Sequence, residues 1–220
     1  MLPEYRTIYR GGEDEIIEKK SRFIATVVPV NTEEEALEFV EKTRKKYWDA
    51  RHNCFAYIIG ERGQLQRCSD DGEPNGTAGK PMLDVLLGNE LRNVAVVVTR
   101  YFGTLLGTGG LVRAYSGAVK AGLDASVIIT KILGVKLHIE TDYTTFGKIQ
   151  YILAQRELKI LDTVYTDKVE LEVLIPKTDV DQVMHAITEG TNAQAEMTAG
   201  EECYYAEIDG VPTILEENII

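Results

Sequence analysis

The sequence predicts an α+β protein of two domains, residues 1–128 and 129–220. Three observations support this prediction. The length of 220 residues is long for one domain and ordinary for two. Short β-branched runs alternate with helical apolar periods along the chain. The charge changes at the boundary: residues 1–128 hold 17 Lys and Arg against 18 Asp and Glu, a net charge of −1, whereas residues 129–220 hold 7 against 17, a net charge of −10.

The first half predicts strands interleaved with three helices. Thr32 begins the first helix, because Thr32 and Glu35 have the spacing of a capping box. The run Val94–Val98 is apolar throughout, which is typical of a buried strand. The predicted segments are, in order, a strand at 19–30, a helix from Thr32, strands at 53–60 and 65–69, a helix after Pro81, a strand at 93–99 and a helix at 111–125.

The second half predicts a smaller sheet with two helices. Apolar and polar residues alternate along 135–139, which indicates a strand with one buried face. Asp142 is placed to cap the first helix, and Gly190 is placed to end the second. With further strands at 158–165, 169–175 and 201–208, the order is β-α-β-β-α-β, which is the ferredoxin-like arrangement.

Composition and charge restrict the compartment and the partners. The three cysteines, Cys54, Cys68 and Cys203, fit neither a disulfide framework nor a zinc pattern, so a cytoplasmic location is expected. No N-terminal apolar segment and no run of about 18 apolar residues occurs, so no membrane is expected. The acidic second half repels phosphate, so DNA is not expected, and a polyanion is expected to bind the first half.

The first glycine-rich segment, 69–81, combines the carboxylates Asp70, Asp71 and Glu73 with Gly76 and Gly79. Clustered carboxylates suit a hard cation such as Mg²⁺. The same residue types also build structured turns, in which Asp accepts from backbone N–H groups and Gly adopts positive φ. The structured turn is favoured over the cation site, because adjacent carboxylates often point in different directions. No metal is therefore expected. The segment is not a P-loop, because Pro74 stands where a P-loop requires Gly and Pro81 stands where it requires Ser or Thr.

The second glycine-rich segment, 99–115, leaves a buried strand and enters a helix. Such a loop presents free backbone N–H groups to an anion. Alternatively, the glycines only allow the helix to pack closely on the sheet, and the flanking arginines pair with the carboxylates of the first segment. The residues expected to contact an anion or nucleic acid are Arg51, Lys80, Arg100, Tyr101, Gly107, Gly109, Gly110 and Arg113.

No catalytic residue and no cofactor is predicted. His52 and Cys54 are separated by two positions in one strand and share a face, as a nucleophilic pair requires. No acid is placed to orient His52, however, and a buried structural cysteine is the more common outcome. The second segment also lacks a dinucleotide-binding fingerprint, because Val112 stands at the third glycine position.

Four segments together resemble the IMPACT family and its bacterial branch, which includes YigZ and YvyE; they are Lys20–Ala25, Ala50–Tyr57, Asp70–Gly79 and Arg100–Tyr115. The resemblance implies a fold like domain 2 of ribosomal protein S5 for residues 1–128, followed by a ferredoxin-like domain like domain V of elongation factor G. Eukaryotic relatives restrain the amino-acid-starvation kinase with an additional N-terminal domain. Only about eighteen residues precede the first predicted strand here, so that partnership is not transferred. The chain departs from the family at Thr104, where a second glycine is usual.

The resulting hypothesis is a non-enzymatic, translation-associated regulatory protein that binds RNA or the ribosome through residues 1–128. Two alternatives stay open. One is an enzyme that binds phosphate or a nucleotide in the Gly103–Gly110 loop, against which the missing set of catalytic partners counts. The other is a protein–protein interaction module that uses the acidic second domain to bind a protein partner.

Overall fold

The computed structural model describes residues 1–215, so the last five residues of the predicted domain 129–220 lie outside it. Helices and sheets are both present, which confirms the α+β class. Two compact units are formed: the N-terminal unit is Tyr5–Ile129, and the C-terminal unit combines Met1–Glu4 with Thr130–Ile220. Across the described residues, every helix is too short or too polar to cross a membrane.

The N-terminal unit is built on an antiparallel sheet with the strand order β2-β3-β6-β4-β5. Its elements are β1 (Glu4–Arg10), β2 (Gly12–Glu18), β3 (Ser21–Pro29), α1 (Glu33–Lys46), β4 (His52–Ile59), β5 (Leu65–Ser69), α2 (Gly79–Gly88), β6 (Val94–Tyr101) and α3 (Thr108–Asp124). Sequence analysis predicted all of these except β1 and β2. The first predicted strand therefore has two others before it.

Both faces of this sheet are covered by helices. Because alternate residues of a strand point to opposite faces, Cys54, Ala56 and Ile58 of β4 join the core formed with α2 and α3. Tyr57 and Ile59 join a smaller core on the α1 side. Burial on both faces explains why β6 is apolar over most of its length.

The helix α1 begins as its sequence predicts. Thr32 accepts a 3.2 Å hydrogen bond from the backbone N–H of Glu35. The Glu35 carboxylate in turn accepts a 2.7 Å bond from the N–H of Asn31. These bonds satisfy donors that the first helical turn leaves free, and they fix where the helix starts.

The C-terminal unit contains an antiparallel sheet with the order β11-β10-β7-β9-β8. Its elements are β7 (Val127–Thr141), α4 (Tyr143–Gln155), β8 (Ile160–Tyr165), β9 (Val169–Pro176), a 3₁₀ turn (Lys177–Asp179), α5 (Val180–Thr191), β10 (Glu196–Ile208) and β11 (Val211–Ile214). Both helices contribute to one core on the sheet. Met1–Glu4 belongs to this unit, and the carbonyl of Pro3 accepts a 2.8 Å hydrogen bond from Leu133.

Candidate functional site

The two glycine-rich segments converge on the end of the N-terminal sheet at which β6 finishes. Arg100 lies directly opposite Phe23 of β3 and His52 of β4, so these three side chains share one face of the sheet. Tyr101 lies opposite Arg22 on the other face, and the Arg22 guanidinium carbon is 5.3 Å from the centre of the Tyr101 ring. The pairing of Arg100 and Tyr101 with neighbouring strands therefore fixes the backbone from which the loop after β6 begins.

Asp70 organises the first segment from within. Its carboxylate accepts hydrogen bonds from the backbone N–H groups of Gly76 at 2.8 Å, Ala78 at 3.0 Å and Gly79 at 2.8 Å. The last two belong to the start of α2, so Asp70 caps a helix that lacks a side-chain cap of its own at Ala78. Burial raises the pKa of Asp70, but the three N–H donors lower it by more, so the carboxylate titrates below its ordinary range.

The other two carboxylates of this segment are also bound by protein groups. Asp71 accepts from the Arg44 guanidinium at 2.9 Å and from the backbone N–H of Asn53 at 2.6 Å. Glu73 accepts from Arg100 and from the Tyr115 hydroxyl. The three carboxylates thus point to different partners, as the turn interpretation requires. Among residues 1–215, no group of three or more His, Cys, Asp and Glu is arranged to hold a metal ion.

Arg100 lies inside the unit, which differs from the expectation that it forms an exposed edge for an anion. Its side chain is 2% exposed, and Nη1 is 2.5 Å from Oε1 of Glu73, whose side chain is 3% exposed. The guanidinium carbon lies 5.4 Å from the ring centre of Phe23 and 4.3 Å from that of Phe102. The buried Nε has no hydrogen-bond partner in the described part of the chain. This geometry matches the competing interpretation, in which Arg100 joins the two segments.

Cys54 lies in the same buried cluster and is held in its thiol form. Its Sγ is 3.3 Å from the Tyr115 hydroxyl and 3.0 Å from the carbonyl oxygen of Asp70. Burial raises the pKa of Cys54 well above the ordinary thiol value, and nearby carboxylates raise it further. Since the thiolate is the nucleophilic form, this environment does not activate Cys54. The Nδ1 of His52 lies 2.8 Å from the carbonyl oxygen of Asp71, and among the described residues no hydrogen bond joins His52 to Cys54.

The second segment begins with a close backbone approach. A Cβ on Gly103 would collide with the backbone of Lys20, so only glycine fits this position. The Gly103 N–H donates to Ser21 at 3.0 Å, and the N–H of Thr104 donates to the carbonyl of Lys19 at 2.8 Å. These bonds fix the loop to the start of β3. The side chain of Thr104 is exposed, so the structure accommodates a residue larger than glycine there.

The N-terminus of α3 is open to solvent. Gly107 is the N-cap residue, no side chain caps the helix, and no acidic residue occupies its first turn. Gly107 and Gly109 are exposed and Gly110 is partly exposed. Arg113 lies beside this turn, since a Cβ on Gly109 would be 3.8 Å from its Nη1. The structure thus brings together the predicted residues Gly107, Gly109, Gly110 and Arg113.

Arg51 and Lys80 have different surroundings. The exposed Arg51 precedes β4, and its guanidinium carbon lies 5.5 Å from the ring centre of Phe102. It is therefore near the loop that follows β6. Lys80 instead pairs with Asp84 one turn along α2, and this ion pair is exposed. A neighbouring carboxylate makes Lys80 a weaker candidate for anion contact than Arg51.

Sequence comparison identifies the chain. Residues 19–123 match the family described as Impact N-terminal domain, and residues 139–194 match a domain described as DUF1949. The IMPACT family member YvyE of Bacillus subtilis is 42% identical over 93% of this chain and 94% of its own length. The chain belongs to the IMPACT family.

Two further relatives cover most of this IMPACT-family chain. The family member YigZ of Escherichia coli is 37% identical over 84% of this chain and 92% of its own length. A crystal structure described as that of a hypothetical protein is 34% identical, with a TM-score of 0.58, and the match covers 91% of this chain and 99% of the other. The resemblance based on the four segments therefore extends over both units.

Sequence reasoning missed two residues at this end of the IMPACT-type unit. Trp48 is 82% exposed, in the turn between α1 and β4. Tyr115, by contrast, is fully buried and holds Glu73 from α3. For Trp48 the available signal was its position, because it is an aromatic residue between the charged end of α1 and the Ala50–Tyr57 segment. No local pattern distinguishes Tyr115 from an ordinary core tyrosine.

Proposed function

We propose that this IMPACT-family protein is a non-enzymatic, translation-associated regulator that contacts RNA, free or on the ribosome, through its N-terminal unit. One observation carries the proposal: the Arg113 guanidinium lies beside the uncapped N-terminus of α3 with no carboxylate partner among the described residues. A helix N-terminus carries partial positive charge, so a second positive group there is unfavourable until an anion neutralises both.

Arg51 supports the same proposal. Among residues 1–215 its guanidinium contacts an aromatic ring and pairs with no carboxylate. Two other arginines of the unit are neutralised by a neighbour, since Arg22 pairs with Glu15 and Arg44 pairs with Asp71. An exposed arginine whose charge is not neutralised by a neighbour is available to phosphate oxygens.

The fold pair implied by the resemblance also supports a translation-associated role. In the C-terminal unit, the path β10-β7-β9-β8 places the four strands of the β-α-β-β-α-β set in the order 4-1-3-2. That order supports the ferredoxin-like assignment. We assign the S5-domain-2-like fold to the N-terminal unit on the resemblance, and domain organisation like that of elongation factor G follows from both assignments.

Co-sedimentation with ribosomes and with ribosomal RNA, repeated across a salt series, tests the proposal. We expect binding that weakens with salt, and Arg113→Ala should flatten the log–log salt dependence by about one unit. The matched control is Arg62→Ala, since Arg62 is exposed in the turn at the other end of β4. This control should leave the slope unchanged.

The outcomes also separate the alternatives. A wild-type protein that binds neither ribosomes nor RNA at low salt contradicts the proposal. Under that result, saturable binding of a nucleoside triphosphate that Arg113→Ala abolishes would favour the enzyme alternative. If the isolated, acidic C-terminal unit instead bound a protein, the interaction-module alternative would be favoured.

A further inference from the structure

We propose that the bound RNA is single-stranded, and that unpaired bases stack on a surface formed by Trp48, Arg51 and Phe102, called here the stacking surface. This inference rests on the proposed function and names the class of RNA. It concerns aromatic groups rather than the phosphate contacts of Arg113. Its first support is exposure: Trp48 is 82% exposed and Phe102 is 49% exposed.

A hydrogen bond between their chain neighbours places Trp48 and Phe102 at the same end of the sheet. The Tyr101 hydroxyl donates to Oδ1 of Asp49 at 2.7 Å. Trp48 precedes Asp49, and Phe102 follows Tyr101. The turn that carries Trp48 is closed by a 3.0 Å bond from the N–H of Ala50 to the carbonyl of Tyr47. Both rings are therefore attached to backbone whose position is fixed.

A series of cation–aromatic contacts connects the stacking surface to the core. Phe23 is fully buried and contacts Arg100, which contacts Phe102, which contacts Arg51. The distances from guanidinium carbon to ring centre along this series are 5.4, 4.3 and 5.5 Å. The inner members are immobilised by burial, so Phe102 and the outermost guanidinium are presented on a rigid base.

Stacking on such groups selects unpaired bases. In a duplex each base is covered on both faces by its neighbours, whereas a single strand can present a base to an aromatic ring or to a guanidinium plane. The charge of Arg51 has no carboxylate partner in the described range, and it adds attraction for the backbone of the same strand. Duplex RNA would reach the phosphate contacts but not the rings.

The chain contains one tryptophan, so its fluorescence reports on Trp48 alone. A short single-stranded RNA without self-complementarity is titrated into the full-length protein at low salt, in parallel with the duplex of the same sequence. We expect the single strand to quench the tryptophan emission and to bind at least about tenfold more tightly than the duplex. The duplex should leave the emission unchanged.

Two variants test the rings by anisotropy of labelled RNA. Phe102→Leu and Trp48→Leu keep apolar volume but remove the ring, and each should weaken single-strand binding by about 5- to 150-fold. Tyr151→Leu is the control, because Tyr151 is 65% exposed in the other unit. Circular dichroism establishes that each variant is folded. If Phe102→Leu fails to fold, Trp48→Leu alone decides, since its site is exposed.

Different experimental results would overturn this inference and the proposed function. Stacking is overturned, although RNA binding is not, if the single strand and the duplex bind with equal affinity and leave the tryptophan emission unchanged. In that case the salt dependence of RNA binding would still depend on Arg113. Wild-type affinity of both ring variants for the single strand overturns it as well. Absence of any RNA binding removes the inference together with the proposed function.

Discussion

Arg100 and Glu73 form a buried ion pair in the N-terminal unit, with 2.5 Å between Nη1 and Oε1 and side chains only 2% and 3% exposed. The Tyr115 hydroxyl donates to the same carboxylate oxygen at 2.8 Å. The Glu73 carboxylate thus joins the end of β6, the Asp70–Gly79 loop and α3. Removing either charge leaves the other buried without its counter-charge.

The first prediction concerns this pair. Arg100→Ala should lower the free energy of unfolding by about 3–5 kcal/mol, because Glu73 would remain buried and unpaired. Denaturation by urea, monitored by circular dichroism, measures the change. Arg62→Ala, at an exposed position, should change stability by no more than about 0.5 kcal/mol. Wild-type stability of Arg100→Ala, combined with a flattened salt dependence of RNA binding, would instead restore Arg100 as a phosphate contact.

The second prediction concerns Asp70 as a remote helix cap. Asp70→Ala removes the acceptor used by Gly76, Ala78 and Gly79. Loss of a capping carboxylate costs about 0.5–2 kcal/mol, and the same urea experiment should show a loss in this range. Glu38→Ala is a suitable control, because Glu38 is an exposed acid in α1. An unchanged midpoint would show that the loop does not depend on Asp70.

The third prediction follows from the lowered pKa of Asp70. A carboxylate with a depressed pKa in the folded state stabilises the fold above its unfolded pKa, about 3.9 for aspartate, and loses this contribution as the pH falls through the folded value. The wild type should therefore lose stability more steeply than Asp70→Asn below about pH 4. Thermal melts between neutral and acid pH measure the difference. Parallel pH profiles for the two proteins would contradict it.

Local signals allowed much of the fold to be predicted, and their failures have physical reasons. Asp142 caps α4 as expected and accepts from Thr144 and Thr145. Gly190 does not end α5: the helix continues to Thr191, and Asn192 adopts the left-handed conformation with φ 52°. Gly190 instead allows close helix packing, since a Cβ there would lie 2.5 Å from Cδ1 of Ile152.

Other features depend on tertiary contacts that no local pattern contains. The strand β2 is a largely exposed and acidic edge strand, so it lacks the clear apolar alternation that predicts a strand. Arg100 and Glu73 are 27 residues apart, and either could equally have faced solvent. The sequence therefore indicated which two segments converge at the end of β6, but could not separate the buried Arg100 from the exposed Arg113.

The fourth prediction uses Cys54 and Cys68 as reporters. Cys54 is buried with a raised pKa, whereas Cys68 is exposed. In the native protein a thiol reagent such as DTNB should modify Cys68 well before Cys54, and Cys54 should react only when the protein unfolds. The variant Cys68→Ser assigns the fast phase. Rapid modification of Cys54 in the folded protein would revive the His52–Cys54 nucleophile that the structure disfavours.

The fifth prediction concerns the C-terminal unit by itself. Its core is contributed by α4, α5 and the strands that they cover, so a fragment of residues 129–220 should unfold cooperatively in urea. The fragment lacks the N-terminal residues that belong to this unit, and with them the 2.9 Å hydrogen bond from the Tyr204 hydroxyl to the carbonyl of Leu2. It should therefore be less stable than the unit in the full chain.

Tyr204→Phe, made in both the fragment and the full chain, tests the second part of this prediction. In the full chain the variant breaks the bond to Leu2 and should cost about 1 kcal/mol. In the fragment that acceptor is gone, so the same variant should cost less. Equal costs in both settings would show that the N-terminal residues do not support the unit. A broad transition of the fragment, with binding of a hydrophobic dye, would show that residues 129–220 do not fold alone and that the boundary at 128 is wrong.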